Sequence, residues 1–120
     1  MSDATLKSHN QSPRKTRLVT DFIKGKTVPA ALAALEFLPK RAAEPVAKLI
    51  KSAAASAKEQ GENVETLTVK SIIVENAGMT KHYMPRAFGR ASAIRRRKSR
   101  IIVNLSDSQK HEASNTKAEK

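Results

Sequence analysis

Apolar residues recur every three or four positions in the first half of the chain, and this spacing predicts amphipathic helices. The first helix is expected to run from Ser12, as an N-cap residue whose side chain accepts from the first backbone amides, to about Lys24. Pro13 suits the first helical position, and Gly25 provides the stop. Four apolar side chains are predicted to form its buried face: Leu18, Val19, Phe22 and Ile23.

Two further helices are predicted before the middle of the chain. The second covers about residues 28–38, and the third begins near residues 39–41 and runs to about Gln60, where Gly61 ends it. Pro45 falls early in the third helix, so that helix either starts later than the spacing indicates or bends there. The apolar positions of the second helix are Val28, Leu32, Leu35 and Leu38. Those of the third helix are Val46, Leu49, Ile50, Ala53 and Ala57.

In the second half of the chain, β-branched and aliphatic residues alternate with polar ones. One such run begins near Glu65 and another covers Ile101 to Leu105, with no apolar helical stripe between them. We therefore expect the two runs to pair antiparallel as one long hairpin. Near the N-terminus, a weak alternation at Ala4 and Leu6 fits either a short edge strand or an extended arm.

Composition limits the protein to one small domain. The chain has 120 residues, with 23 Lys and Arg against 11 Asp and Glu, a net charge of +12 and no cysteine. This excess of positive charge points to a polyanion as partner. The lack of cysteine excludes disulfides and cysteine-ligated metals and fits a reducing cytoplasm. We expect neither a signal peptide nor a membrane span, because no apolar run is long enough.

Positive charge is concentrated in the segment that connects the two predicted strands. Between Met79 and Arg100 there are eight basic residues and no acid, and Tyr83 and Phe88 lie among the charges. Guanidinium groups bind phosphates and also stack on bases, and exposed aromatic side chains add stacking surfaces. A basic run is often only a solvated face, but this mixture favours a loop that binds nucleic acid.

The first helix supplies a second basic patch, formed by Arg14, Lys15 and Arg17. Lys24 and Lys26 follow near its C-terminus, where cations also favour the helix dipole without any ligand. No catalytic or metal site is predicted, because the three histidines lack ligand spacing and the acids are scattered. We therefore expect a protein that is not an enzyme and that has no cofactor.

Three separated stretches of the chain carry a resemblance to a known family. They are SPRKTRLVTDFIKGKTVPAALAAL, KLIKSAAASAKEQG and MTKHYMPRAFGRASAIRRRKSRIIVNLSD, of which MPRAFGRA is the most specific part. In this order, and over roughly residues 5–107, the chain resembles the bacterial form of large-subunit ribosomal protein number twenty-two. Two positions depart from that pattern: Phe88 stands where many relatives have a lysine or another polar residue, and His82 takes a place often held by a basic residue.

The resemblance implies an α+β fold in which three helices pack on a small antiparallel sheet with a long protruding β-hairpin. It implies one ribosomal-protein domain over residues 1–107, with the hairpin extension at about 75–101 and its tip at about 79–92. The tip has no protein core of its own, so we expect it to be mobile in the free chain and ordered on RNA. Residues 108–120 lie beyond the match, and their charged, aperiodic composition predicts a disordered tail.

The resemblance also implies a function. Members of the family are structural constituents of the large ribosomal subunit in the cytoplasm; they bind large-subunit rRNA, support its assembly and line the nascent-peptide exit tunnel with the hairpin. The implied partners are this rRNA, neighbouring ribosomal proteins including number four near the tunnel, and the nascent polypeptide, with no membrane. An alternative is a stand-alone basic RNA- or DNA-binding regulator, because basicity alone does not distinguish the two nucleic acids. The acid-free hairpin favours the ribosome, since a helix-turn-helix protein would read its target with a helix.

Site residues follow from position within the resemblance. The implied rRNA contacts are Lys7, His9, Arg14, Lys15, Arg17, Lys24, Lys26, Arg86, Arg90, Arg95, Arg96, Arg97, Lys98 and Arg100. The implied exit-tunnel tip comprises Lys81, His82, Tyr83, Met84, Arg86, Phe88 and Arg90.

Overall fold

One strand, three helices and two long strands follow each other along the chain. The computed structural model describes residues 2–107. The helices are α1 (Pro13–Ile23), α2 (Val28–Phe37) and α3 (Ala43–Glu59), and the strands are β1 (Ser2–His9), β2 (Leu67–Pro85) and β3 (Ala91–Asp107). A single 3₁₀ turn at Val64–Thr66 precedes β2, and a tight turn at Ala87–Gly89, in which Phe88 and Gly89 have positive φ, connects β2 to β3. The α+β fold is confirmed, and the predicted tail at 108–120 lies outside the described residues.

The strands form one antiparallel sheet in the order β1-β3-β2, so β3 is central. β1 pairs with β3 as far as His9 opposite Ser99, and β2 pairs with β3 as far as Pro85 opposite Ala91. The edge strand and the antiparallel hairpin are therefore confirmed. On the tip side of Ser99, at residues 91–98 of β3, the described sheet has only two strands, β2 and β3. This two-stranded part is the hairpin that leaves the body.

The core lies between one face of the sheet and the three helices. On β3 every second residue from Ser99 is fully buried, because alternate side chains of a strand point to the same face. Ile101, Val103 and Leu105 thus meet the buried face of α3, which packs across β1 and β3, while α2 packs on α3. All five apolar positions predicted for the third helix are buried.

Of the four residues predicted for the buried face of α1, Val19 and Ile23 are buried and Leu18 and Phe22 are not. Leu18 is 65% exposed and Phe22 48% exposed, whereas the polar residues Thr16 and Thr20 are buried with Val19 and Ile23. A buried hydroxyl is tolerated only when it is hydrogen-bonded. The Thr16 hydroxyl donates to the Ser12 carbonyl oxygen at 3.0 Å, and the Thr20 hydroxyl donates to the Arg17 carbonyl oxygen at 3.2 Å. Because these hydrogen bonds satisfy both hydroxyls, the two threonines can be buried on the side of α1 that faces the sheet.

Both ends of α1 lie near their predicted places. Ser12 is the N-cap residue, but its side chain makes no capping hydrogen bond, so that part of the prediction was wrong. The Thr16 hydroxyl lies 3.4 Å from the Ser99 hydroxyl; because it already donates to Ser12, it can accept from Ser99 and so join α1 to β3. At the other end Gly25 has φ +79°, as a left-handed stop requires, and its amide donates to the Val69 carbonyl oxygen at 3.0 Å.

The proline in the third helix is explained by a later start. α3 begins at Ala43, so Pro45 is its third residue and lies in the first turn, where backbone amides have no partner within the helix. Of the two alternatives, the later start is therefore correct. The second helix has the predicted extent to within one residue, and Val28, Ala31 and Leu35 form its buried side.

A β-bulge marks the place where the hairpin leaves the body. β2 has one more residue than β3 between Asn76 and Met79, and Gly78 in this bulge has φ +103°. The Gly78 amide donates to Asn76 Oδ1 at 3.1 Å, which holds the bulge in shape. From Asn76 to Pro85 the hairpin extends by roughly 30 Å at about 3.3 Å per residue, and the molecule measures 67 × 32 × 24 Å.

Substitution of two isoleucines in the sheet, one buried and one half-exposed, measures how much burial in the core contributes to stability. Ile101 on β3 is fully buried, whereas Ile73 on β2 is 46% exposed. We expect Ile101→Ala to lower the free energy of unfolding by about 2–5 kcal/mol because it leaves a cavity, and Ile73→Ala to lower it by less than about 1.5 kcal/mol. Urea denaturation of the full chain measures both values. Equal decreases in the two variants would contradict the placement of the core.

Candidate nucleic-acid interface

Three segments that are distant in sequence form a cleft of about 940 Å³ at the base of the hairpin. They are the turn between β1 and α1 together with the first turn of α1, the segment before α3, and the inner part of the hairpin. Six of the lining residues are Lys or Arg and none is acidic. The lining consists of Asn10, Gln11, Ser12, Lys15, Arg41, Thr80, His82, Arg95, Arg96, Arg97 and Lys98. Such a set offers charge for phosphates and amide or hydroxyl groups for sugars and bases.

The basic run on β3 presents cations to both sides of the hairpin. Successive strand residues point to opposite faces, so Arg95 and Arg97 share one face while Arg96 and Lys98 share the other. In the body the helices cover one of these faces. On the tip side of Ser99 the described sheet is only two strands wide and extends away from the helices. The hairpin is therefore positively charged around its circumference, as a segment surrounded by polyanion would be.

The hairpin does not neutralise its own charge. The sequence has no acidic residue from position 76 to position 106. At the base, Glu75 lies opposite Arg100 with a carboxylate oxygen 3.7 Å from its guanidinium. Further out, Lys81 lies directly opposite Arg95, and like charges in that position destabilise a strand pair. Dissolved salt or a bound anion offsets this repulsion.

The turn at the end of the hairpin is tightly closed and exposed. The Arg86 amide donates to the Arg90 carbonyl oxygen at 2.6 Å. Phe88 and Gly89 between them have φ +63° and +72°. All the residues predicted for the exit-tunnel tip are exposed, but Lys81 to Met84 belong to the paired part of β2 and only the turn from residue 86 to residue 90 is unpaired.

The cleft unites one part of the predicted rRNA-binding set. Lys15, Arg95, Arg96, Arg97 and Lys98 line it together, as does His82 from the predicted tip. Lys7 and Arg14 are exposed outside it, and Arg86 and Arg90 lie along the hairpin. Arg100 lies in the three-stranded part of the sheet at the base of the hairpin, where it pairs with Glu75. The assignment of these side chains to rRNA stays a prediction.

Four other members of the set have partners within the chain. Arg17 Nη2 donates to the Val74 carbonyl oxygen at 3.0 Å and so joins α1 to β2. His9 is buried, with Nε2 3.2 Å from Gln11 Oε1. Lys24 pairs with Asp21 at 3.2 Å, and Lys26 Nζ lies 4.1 Å from the centre of the Phe22 ring. His9 is thereby the least accessible member, while the exposed cations keep donors for a second partner.

Sequence reasoning missed the contribution of Arg41 and of the polar residues Asn10, Gln11 and Thr80. Arg41 was placed at the start of the third helix, but it precedes α3 and lines the cleft. Only the fold brings it near the hairpin, since 54 positions separate it from Arg95. The signal available in the sequence was Pro45, which places the start of α3 beyond Arg41.

Metal sites and membrane-spanning helices are absent from residues 2–107. No group of three or more His, Cys, Asp or Glu side chains could hold a metal ion. No helix in that part of the chain is long and apolar enough to cross a membrane.

An α+β body with a cation-lined cleft and a projecting acid-free hairpin defines a basic nucleic-acid-binding protein. Comparison with known proteins identifies the group. The chain belongs to the family of ribosomal protein L22p/L17e, whose model matches residues 4–106.

Several bacterial proteins named "Large ribosomal subunit protein uL22" are similar to this chain over most of their length. The protein from Pelobacter propionicus is 49% identical over 108 residues, which cover 89% of this chain and 97% of that protein. The one from Trichlorobacter lovleyi is 47% identical over 107 residues, covering 88% and 95% respectively. The one from Geobacter sulfurreducens is 48% identical over 99 residues, covering 82% and 89%.

The basic run of β3 can be tested through the salt dependence of RNA binding. We expect replacement of Arg95, Arg96 and Arg97 by alanine to weaken binding to a large-subunit rRNA transcript. The slope of log K against log salt should become shallower by about 0.7–0.9 for each phosphate that the variant no longer neutralises. Filter binding at several salt concentrations measures this slope.

A matched control removes the same charge from α3, by alanine at Lys48, Lys51 and Lys58, which lie outside the cleft. The slope should then stay near that of the unaltered chain. Equal changes in the two triple variants would show that net charge, and not the cleft, determines binding.

Proposed function

We propose that the chain is a structural, non-enzymatic constituent of the large ribosomal subunit in the cytoplasm, and that it binds large-subunit rRNA through the basic cleft and the hairpin. Family membership supports the ribosomal role. The observation that carries the proposal is the cleft of about 940 Å³, whose lining includes six Lys or Arg residues and no acid. A phosphate backbone is the ligand whose charge complements such a surface.

In this proposal the two parts of the chain have different tasks. Residues 1–107 form one domain, with a hairpin extension at about 75–101 and a tip at about 79–92. The body supplies a folded support from which Arg14, Lys15 and Arg41 bind rRNA. The hairpin supplies the return strand, with its contacts at residues 95–98 and 100, and reaches into the RNA. By joining RNA segments at the base and along the hairpin, the chain supports assembly of the subunit.

We further propose that the hairpin lines the nascent-peptide exit tunnel, close to ribosomal protein number four. The shape supports this, because a two-stranded ribbon that reaches roughly 30 Å beyond the body can pass between RNA segments. The exposure of side chains near the end of β2 supports it too. Tyr83 is 70% exposed and Met84 47% exposed, so both can contact a passing polypeptide. Family membership supports a neighbourhood of large-subunit rRNA and ribosomal proteins.

Fractionation of a cell lysate on a sucrose gradient tests the proposed function. We expect the chain to sediment with the large subunit and to stay there after a high-salt wash, because many contacts along the hairpin must break together. Ribonuclease treatment, as a control, should release it. Recovery of the chain only at the top of the gradient would contradict the proposal and support a stand-alone nucleic-acid binder.

A further inference from the structure

Phe88 is the most exposed large apolar residue of the described chain. It sits in the middle of the hairpin turn with a relative exposure of 101%, so its ring packs against nothing in residues 2–107. Its backbone has φ +63° and ψ +29°, the left-handed region that is rare for bulky side chains. Folding of the free chain thus gains nothing from the ring at this position.

The geometry of the turn also does not require a phenylalanine. Glycine adopts positive φ without strain, and Gly89 beside it does so at +72°. A second glycine at position 88 would close the same turn more easily, with the Arg86 amide still donating to the Arg90 carbonyl oxygen. A strained, exposed aromatic residue points to a contact outside the chain.

We propose that the Phe88 ring stacks on an unpaired base of the large-subunit rRNA, an inference that rests on the proposed function. Arg86 and Arg90 flank the ring two residues away on each side, at the two ends of the turn. They are placed to bind the phosphates on either side of the stacked nucleotide. Aromatic rings between cations are how proteins bind single-stranded RNA, because every base has a flat face.

The kind of base that can stack on Phe88 is limited to those whose flat face the ring can reach. Bases inside an A-form duplex are stacked on each other, and the deep major groove excludes side chains. Only a base in a loop, a bulge or a junction exposes a face to a ring at the end of a narrow ribbon. A polypeptide is a weaker candidate, because it would leave Arg86, Arg90 and the rest of the acid-free hairpin without anions.

The test compares large subunits purified from cells whose only copy of this chain is unaltered or carries Phe88→Leu, Phe88→Gly or Phe88→Tyr. Acylation of 2′-hydroxyl groups in the rRNA measures how mobile each nucleotide is. We expect an unpaired nucleotide to become more reactive in the Leu and Gly variants and to stay protected in the Tyr variant. Phe37→Leu is the matched control, because Phe37 is also exposed, at 84%, but lies at the end of α2.

Each variant separates one explanation from another. If Phe88→Gly behaves like the unaltered chain while Phe88→Leu does not, the turn and not the ring matters, and stacking is refuted. If all variants stay in the subunit and no nucleotide changes reactivity, stacking is refuted while the ribosomal role stands. Stacking is likewise refuted if the variants change only the crosslinking of this chain to nascent polypeptide, because the ring would then contact the peptide. Absence of the unaltered chain from the subunit overturns the proposed function itself.

A second measurement covers the case in which a variant does not enter the subunit. The chain has no tryptophan, so Phe88→Trp introduces a single tryptophan at the turn, which can be excited separately from Tyr83. Single-stranded oligoadenylate should quench this fluorescence, while an RNA duplex with the same number of phosphates should not. In filter binding, Phe88→Leu should weaken oligoadenylate binding relative to the unaltered chain by roughly 5- to 150-fold, which corresponds to the free energy of base stacking on an aromatic ring. Equal quenching by both RNAs would contradict stacking.

Discussion

Repulsion among like charges on the hairpin is the constraint on which the rest of the structure depends. The segment from position 76 to position 106 contains no acid, and Lys81 lies directly opposite Arg95 on the neighbouring strand. A two-stranded ribbon is only marginally stable in water even without such repulsion. The protein therefore combines a hairpin that is poorly stabilised from within with a body that folds by burial of apolar side chains. A polyanion that surrounds the hairpin converts its repulsion into binding free energy, because released counterions favour association.

Two specific side-chain contacts join helix α1 to the sheet at the base of the hairpin. The Thr16 and Ser99 hydroxyls lie 3.4 Å apart in the core at the last three-stranded level of the sheet. On the other side of α1, Arg17 Nη2 donates to the Val74 carbonyl oxygen just before the bulge at Gly78. These two contacts connect the helix that contributes Lys15 to the base of the strands that contribute the other cleft cations. The two contacts thus help to fix the position of Lys15 relative to the hairpin.

The features that sequence alone could predict are the local ones. The three helices, the hairpin and the glycine stops could be predicted, because periodicity and turn residues act over a few positions. The buried face of α1 could not: Thr16 and Thr20 look solvent-exposed in the sequence, and only hydrogen bonds to Ser12 and Arg17 make their burial possible. For the same reason Arg41 was missed, since its place in the cleft depends on how α3 packs. The basic character of the site is visible in the composition, but its convergence requires the fold.

Hydrogen–deuterium exchange tests most directly whether RNA is what orders the hairpin. Exchange would be followed by mass spectrometry in the free full-length chain and in the same chain within purified large subunits. We expect the amides of residues 79–98 to exchange rapidly in the free chain and slowly in the subunit, while those of residues 101–105, in the centre of the sheet, stay protected in both. Equally slow exchange of residues 79–98 in the free chain would contradict the account, because the hairpin would then be stable without its polyanion.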